Sequence, residues 1–427
     1  MTTRIRTAMA LVAASALTLA ACASPGTSET SSPDPDVERP APDSPHAQDL
    51  ARALNDAGFA VFRAAAEEGE NTAVSPLSIG TAFGMLNAGA TEPVVGALEE
   101  AFSWPVEGQD LLSAFNALDQ RASSEPDDYP APGEDEPDHA AVRIANRMFL
   151  DGGFEPKQEY RDQLATYFGA GAQVTPMSTK PDEAADAING WVDKRTEGLI
   201  PKLVTPEIFD DQSRLALVNA LYMKAEWADQ FEESATSDEP FTLADGSTVD
   251  VPMMHSGVRY GTVYEGEDFV SVVLPYAYDE LEMVVVVPED GAFEDVRAGL
   301  GQDTLDQIDS APTGTGYTLA MPRFTAESST DLRAVMEGEL GIADLFGVVG
   351  LDGIAPDMYV SAAVHATKVI VDEAGTEAAA ATAIVAGTTS MPAPPEVEIR
   401  ADQPFLYVIR DTDTGAVLFV GQVLDPR

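Results

Sequence analysis

Residues 371–382 read VDEAGTEAAAAT: two carboxylates, a glycine, a threonine, and then mostly small side chains. Alanine is the best helix former, so this stretch alone is compatible with a buried helix. The residues that follow argue against one, because Thr382, Ile384 and Val385 favour extended backbone and Gly387 breaks helices. Helix continuation is also prevented by four prolines, which are Pro392, Pro394, Pro395 and Pro404. The sequence therefore predicts an extended segment here.

Helical and strand patterns are unevenly distributed along the chain. Apolar residues recur at helical spacing over 48–66, 93–102, 109–121 and 182–196, and Ser78 is expected to cap a further helix. Runs rich in β-branched and aromatic residues occupy 144–149, 215–223, 271–274, 282–287, 317–322, 358–371, 405–410 and 417–423. Helices thus cluster early and strands late, without regular βαβ alternation, which predicts an α+β fold.

Composition excludes several classes of function. The 427 residues include 24 Lys and Arg against 72 Asp and Glu, a net charge of −48, so nucleic acid is an improbable partner. With four histidines, one cysteine and no HExxH or GxSxG motif, we expect no metal, no cofactor and no enzymatic activity. The segment 411–415 superficially resembles a calcium loop, but a hairpin turn explains it better.

The first 44 residues differ in composition from the rest of the chain. Two arginines precede an apolar stretch that ends in Leu-Ala-Ala-Cys22, which resembles a bacterial lipobox. This implies a signal peptide over 1–21 and lipidation of Cys22 on the outer side of the cytoplasmic membrane. The alternative is an ordinary secretory signal and a fully secreted protein. Residues 22–44 are polar and proline-rich, which predicts a flexible tether, and 45–427 are expected to form one domain.

A second polar segment interrupts the body of the chain. Residues 122–140 are rich in Asp, Glu, Pro and Gly, which predicts an exposed acidic loop inserted between elements. The simpler interpretation is that this segment is a solvent-exposed loop without a function.

Six segments, in order, resemble the serpin family of serine protease inhibitors. They are NTAVSPLSI (71–79), IANRMF (144–149), INGWV with TEG (188–198), LVNALYMK with Trp227 and Phe231 (217–231), VPMM (251–254), and PFLY through Gly421 (404–421). The resemblance implies the serpin fold, in which helices pack on a large, mostly antiparallel sheet with smaller sheets and an exposed reactive-centre loop.

The stretch 371–382 resembles the hinge of the reactive loop in inhibitory serpins. The residues concerned are Glu373, Gly375, Thr376, Glu377, Ala378, Ala379, Ala380 and Ala381. In the family the cleaved loop becomes a new central strand, and the acylated protease is trapped by its insertion. One alternate set of positions from 376 to 388 contains no charge, which suits a buried strand face. The implied partner is a serine protease held as a covalent acyl complex by a monomeric inhibitor.

The scissile bond follows from counting along the loop. Seventeen residues from Glu373 inclusive, the family's usual spacing, lead to Thr389 followed by Ser390, whereas counting back from 394–397 leads to Met391. Thr389–Ser390 is preferred, because Met391 precedes a proline. Between Lys368 and Arg400 the chain has no Lys or Arg, so the sequence favours an elastase-like or subtilisin-like target over a trypsin-like one.

Five further residues match positions that control opening of the main sheet in the family. Ser75, Ser78, Asn219 and His365 are expected to form a buried hydrogen-bonded network, and Trp227 to pack where insertion begins. A different function on the same fold is the main alternative, namely a non-inhibitory serpin that binds or carries a partner at the cell surface. The small, uncharged residues of the hinge favour inhibition.

Overall fold

The computed structural model describes residues 37–66, 70–123, 137–342, 345–376 and 394–427. Its helices are α1 (Ala47–Ala65), α2 (Pro76–Asn87), α3 (Val94–Phe102), α4 (Gly108–Ala122), α5 (Gln158–Phe168), α6 (Pro181–Arg195), α7 (Phe293–Gly299), α8 (Gln302–Asp309) and α9 (Leu332–Ala334). None of these helices has the length and apolar character needed to span a bilayer.

The strands come mostly from the second half of the chain. They are β1 (Thr72–Val74), β2 (Ala141–Asp151), β3 (Ala172–Thr175), β4 (Leu215–Glu226), β5 (Ser237–Thr242), β6 (Thr248–His255), β7 (Arg259–Gly261), β8 (Val263–Glu265), β9 (Phe269–Pro275), β10 (Leu281–Pro288), β11 (Thr315–Pro322), β12 (Phe324–Asp331), β13 (Val360–Val371), β14 (Gly375–Thr376), β15 (Val397–Arg400), β16 (Phe405–Asp411) and β17 (Val417–Val423).

These strands form three sheets. The main sheet has the order β12-β13-β14-β4-β2-β3, and a second six-stranded sheet has the order β1-β17-β16-β10-β9-β8. The third sheet, β15-β11-β6-β5, also carries β7 on β11. Helices α1 to α5 pack with the second sheet into one large apolar core, and α6 covers a separate apolar cluster on the main sheet. The predicted α+β class is confirmed.

Most predicted elements are present. Two strands of the main sheet, β2 and β4, are longer than predicted, whereas β13 starts two residues later than predicted. β2 covers 11 residues and β4 covers 12, because their pairing continues through charged residues such as Arg143 and Lys224, where the apolar pattern ends. The segment 411–415 is the predicted hairpin turn between β16 and β17, where Asp411 accepts hydrogen bonds from the backbone and the hydroxyl of Thr414.

Ser78 was expected to cap the second helix, and this is wrong. Helix α2 begins at Pro76, and Ser75 is its N-cap, since the Ser75 hydroxyl accepts a hydrogen bond from the Ser78 backbone N–H at 3.2 Å. Proline at the first helical position is compatible with this start because it has no N–H to satisfy. Ser78 instead lies one turn inside the helix, where its side chain is free to bond elsewhere.

The predicted tether, residues 22–44, extends too far into the folded body. Arg39 forms an ion pair with the buried carboxylate of Asp119 at 2.7 Å and also bonds Asn116 and the Tyr167 carbonyl. The carbonyl of Pro40 accepts hydrogen bonds from two side chains of α4. The few apolar residues of this segment suggested a free chain, but Arg39 and backbone carbonyls such as that of Pro40 dock its last part on the helices. Cys22 and the signal segment lie outside the described residues.

Candidate functional site

The seam between β4 and β13 is closed along most of its length. The two strands run parallel and pair directly from Leu215 opposite Val360 up to Leu221 opposite Thr367. Beyond this point β14 lies between them, since Thr376 pairs with Val371 on one side and with Ala225 on the other. The two residues of β14 therefore form a short wedge at one end of the seam.

Gly375 permits this wedge because β4 approaches its backbone closely. A Cβ atom at this position would lie 2.1 Å from the carbonyl oxygen of Ala225 and 2.8 Å from the Cα of Glu226. Both contacts are to backbone, which cannot rotate away as a flexible side chain could. A side chain here would push the start of the reactive segment off β4.

Thr376 and Glu373 fix the segment on either side of that glycine. Thr376 is fully buried, and its hydroxyl shares a 2.6 Å hydrogen bond with Tyr276. The Glu373 carboxylate accepts hydrogen bonds from Arg323, at 2.6 and 2.8 Å, and from Thr236 at 2.5 Å. Burial raises the pKa of Glu373, but these donors outweigh it, so the pKa lies below its usual range and Glu373 stays charged.

Trp227 holds the same segment from the turn after β4. Its backbone N–H donates to the Ala374 carbonyl at 2.8 Å, and its indole N–H donates to the Asp372 carbonyl at 3.0 Å. The ring stacks on Tyr276 with centroids 4.4 Å apart. Trp227 was expected to pack where insertion begins, apart from the buried network. It lies eight residues beyond Asn219, about 26 Å along an extended chain, and contacts the hinge.

The other four predicted residues come together in one buried cluster. His365 Nδ1 and Asn219 Oδ1 are hydrogen-bonded across the seam, and His365 Nε2 accepts from the Ser75 backbone N–H at 2.9 Å. Asn219 Nδ2 donates to the Ser78 hydroxyl at 2.7 Å. The structure thus joins α2, β4 and β13 through polar side chains, and their role in opening the sheet stays a prediction.

Sequence reasoning missed a fifth member, Asn146. It faces Asn219 directly across β2 and β4, accepts hydrogen bonds from Asn219 at 2.5 Å and from Ser78 at 3.2 Å, and donates to the Ser78 carbonyl at 3.0 Å. Asn146, Asn219 and His365 therefore form one polar row across three strands. The available signal was an asparagine inside an otherwise apolar strand, which needs a buried partner.

His365 is a neutral imidazole in this arrangement. Nε2 accepts from a backbone N–H, so Nδ1 is the nitrogen that carries the proton. Burial lowers the pKa of His365 to about 3, because the charged ring would lose its hydration without gaining a carboxylate partner. Protonation would also place an N–H against the N–H of Ser75. The hydrogen bonds of this cluster therefore require the neutral form of His365.

Several predicted site residues lie outside the described part of the chain. They are Glu377, Ala378, Ala379, Ala380, Ala381, Thr389, Ser390, Met391 and the middle of the acidic loop 122–140. On the far side of that interval, the Glu396 backbone N–H donates to the Gly316 carbonyl at 2.7 Å, and β15 pairs parallel with β11. The last described residues before this interval therefore lie in the main sheet, and the first strand after it lies in the third sheet.

Comparison with known proteins identifies this arrangement. A family model described as "Serpin (serine protease inhibitor)" matches residues 52–426. The chain belongs to the serpin family. The human leukocyte elastase inhibitor is 32% identical over 372 residues, which cover 83% of this chain and 93% of that protein. An uncharacterized serpin-like protein of Thermococcus kodakarensis is 30% identical over 88% of this chain and 86% of its own length.

The fold agrees with that of solved serpins. The structure of tengpin, a thermophilic serpin in the native state, superimposes with a TM-score of 0.77 at 24% identity and covers 88% of this chain and 94% of that one. In this serpin the seam is closed by direct pairing of β4 with β13, and the short strand β14 enters it at one end.

Proposed function

We propose that this serpin is a suicide-substrate inhibitor of serine endopeptidases and has no catalytic activity of its own. The observation that carries the proposal is the position of β14: the two hinge residues already occupy the place of a strand between β4 and β13. Continued insertion in the same direction would require β13 to release β4. It would also bury the uncharged alternate positions of the loop beneath α6 and its apolar cluster.

The energetic basis is that the closed seam leaves a favourable sheet position unused. After cleavage, fifteen residues from Gly375 to Thr389 could extend about 50 Å as a new strand, with backbone hydrogen bonds to neighbours on both sides. The acyl-linked protease would be carried along this path, and distortion of its own catalytic site would stop deacylation. The nucleophile belongs to the protease, and the serpin supplies the substrate and the conformational change.

The target is an elastase-like or subtilisin-like enzyme, with cleavage at Thr389–Ser390. This rests on the absence of Lys and Arg between Lys368 and Arg400 and on the small residues before the bond. A pocket built around an aspartate would find no cation to pair with in this segment. Met391 remains the alternative recognised residue.

The test is incubation of the chain without its first 22 residues with pancreatic elastase and with subtilisin, followed by denaturing electrophoresis. This boundary keeps Arg39 and its contacts with α4 and α5. We expect a covalent complex near the summed mass, and a released C-terminal peptide that begins at Ser390. Loop cleavage with no complex and no gain in thermal stability would favour the non-inhibitory alternative.

We also propose that the protein is exported and anchored through lipid on Cys22, outside the cytoplasmic membrane of a bacterium. The support is the apolar stretch that ends in Leu-Ala-Ala-Cys22 and the polar segment that follows it. Residues 23–38 would form the free part of the tether, because Arg39 docks on the folded domain. Metabolic labelling with a fatty acid should mark the wild type but not Cys22→Ser, and equal labelling would contradict the anchor.

A further inference from the structure

A cavity of about 200 Å³ lies behind the turn that holds the hinge. It is enclosed by the turn after β4, by β7, by the ends of β9 and β10, and by β11. Its walls combine aromatic and aliphatic side chains with polar groups, and one arginine is its cationic group. The main lining residues are Trp227, Arg259, Tyr260, Leu274, Pro275 and Tyr317.

Arg259 is the unusual member of this set. Its Nη2 atom donates to the carbonyls of Asp229 and Gln230, at 2.5 and 3.0 Å, and its guanidinium lies 4.4 Å from the ring centre of Phe231. It forms no ion pair with any described residue, although the protein has three times as many acidic as basic residues. Burial lowers the pKa of Arg259, and the opposing effects of the neighbouring Tyr317 and Asp229 only partly offset it.

The hydrogen-bonding capacity of this side chain is only partly used. A guanidinium has five N–H donors, and both carbonyl contacts come from Nη2. The donors on Nη1 and Nε are left for the neighbouring Tyr317 or for a ligand. A carboxylate is the small anion that best matches a guanidinium, because its planar group can accept two parallel hydrogen bonds.

Two acidic residues also line the cavity, and neither forms an ion pair with Arg259. Glu282 is already paired with Arg410 at 2.5 Å. Asp229 is exposed to solvent, and its carboxylate makes no ion pair with Arg259, whose bond goes to the Asp229 backbone carbonyl. The exposed position of Asp229 lets water screen its repulsion of an incoming anion.

We propose that this cavity is a binding site for a small organic carboxylate with an aromatic body. The carboxylate would bind Arg259, and the body would lie against Trp227 and Tyr317, with Tyr260 at the rim, where 61% of its surface is exposed. Burial of an aromatic body supplies most of the binding, and the charge supplies selectivity.

The site is connected to the hinge through three hydrogen bonds from two residues of the turn. Trp227 binds the carbonyls of Asp372 and Ala374, and the Phe231 N–H donates to the Glu373 carbonyl at 2.9 Å. A ligand that fixes Arg259 and Trp227 therefore stiffens the turn from which the hinge must detach. The proposal concerns binding, so it holds or fails independently of whether this serpin inhibits a protease.

The experiment is calorimetric titration of the full chain with phenylacetate, with the uncharged analogue phenylacetamide as the ligand control. We expect saturable binding of phenylacetate with a Kd of about 0.1–3 mM, and at least tenfold weaker binding of phenylacetamide. Arg259→Gln should weaken phenylacetate binding at least tenfold. Arg63→Gln, which removes an arginine from a different surface cavity, should leave it unchanged.

Because Arg259 also holds the turn, a second variant separates binding from folding. Thr262→Phe places a ring in the cavity without removing any hydrogen bond of Arg259, and it should abolish binding while Tm is retained. The proposal is overturned if phenylacetate shows no saturable heat up to 20 mM, which is about sevenfold above the weakest expected Kd. It is equally overturned if phenylacetamide binds as tightly, or if Thr262→Phe binds like the wild type.

Discussion

The two ends of the β4–β13 seam are stabilised by different means. At the hinge end, β14 separates the strands and is held by side chains outside the seam, chiefly Trp227, Tyr276 and Arg323. At the other end the strands pair directly, and His365 bonds Asn219 across the seam. The first end is therefore ready to accept further residues, whereas the second must break buried polar contacts before it opens.

Under the proposed mechanism, the two ends would have separate tasks. Contacts of the hinge would decide whether the cleaved loop can enter, because each entering residue must fit where Gly375 and Thr376 now lie. The polar row would decide how readily the remaining seam separates, because opening leaves buried polar groups without partners until the new strand arrives. Variants at the two ends should therefore change different measured quantities.

The largest expected effect is from Thr376→Arg at the hinge end. The wild-type threonine is buried against Tyr276, and an arginine would bring a charge with no carboxylate into that position. We expect loop insertion to slow, so that the protease deacylates first and the inhibitor becomes a substrate. The number of inhibitor molecules consumed per protease inhibited should rise at least tenfold.

The matched control is Thr325→Arg on β12, at an exposed position of the same sheet. It should leave the stoichiometry within about twofold of wild type, since an exposed substitution has little effect. If Thr376→Arg leaves the stoichiometry of inhibition unchanged, inhibition does not depend on insertion of this hinge, and the proposed mechanism is wrong.

The next effect concerns the close approach of Gly375 to β4. Gly375→Ala would place a methyl group 2.1 Å from the Ala225 carbonyl, so backbone must move. We expect the free energy of unfolding to fall by about 1–3 kcal/mol, as for other overpacked sites. Gly257→Ala is the control, because a Cβ there has no neighbour within 4 Å. Denaturant titration of both variants measures the two free energies of unfolding. An equal decrease for Gly375→Ala and Gly257→Ala would contradict this explanation.

The contrast between the two ends also explains what the sequence could reveal. Small residues, a glycine and a charge in a short linear order are local features, so the hinge from Glu373 to Thr376 could be recognised from the chain alone. Asn146 could be noticed as a polar residue in a strand, but its membership of the network could not be predicted. Its partner Asn219 lies 73 residues away and becomes a neighbour only when β2 and β4 pair in register.

The same reasoning applies to the errors. Ser78 and Ser75 are both plausible caps, and the choice depends on where Pro76 starts the helix. Arg39 looked like part of a tether because its partner Asp119 is 80 residues away and buried in α4. The fold class followed from the periodicity of many residues, whereas these details depend on single long-range contacts.

The smallest expected effect is a pH dependence at the closed end of the seam. In the unfolded chain His365 has a pKa near 6.5, and in the native state burial lowers that pKa to about 3. Between these values the unfolded state binds the extra proton, so the stabilisation is complete above pH 6.5 and is lost as the pH falls toward 3. The loss amounts to at most about 1.4 kcal/mol per pH unit, or about 2 kcal/mol at pH 5.

His365→Gln removes this titration and isolates its contribution from that of the many carboxylates. Both proteins share every other ionisable group, so the difference between their unfolding free energies should narrow by about 2 kcal/mol from pH 7.5 to pH 5. His46→Gln is the control, because this imidazole is in contact with solvent. Its free energy of unfolding should change with pH as that of the wild type does. Denaturant titrations at four pH values measure all three proteins. Parallel curves for wild type and His365→Gln would mean that the ring accepts a proton in the closed sheet, and the polar row would then not depend on a neutral histidine.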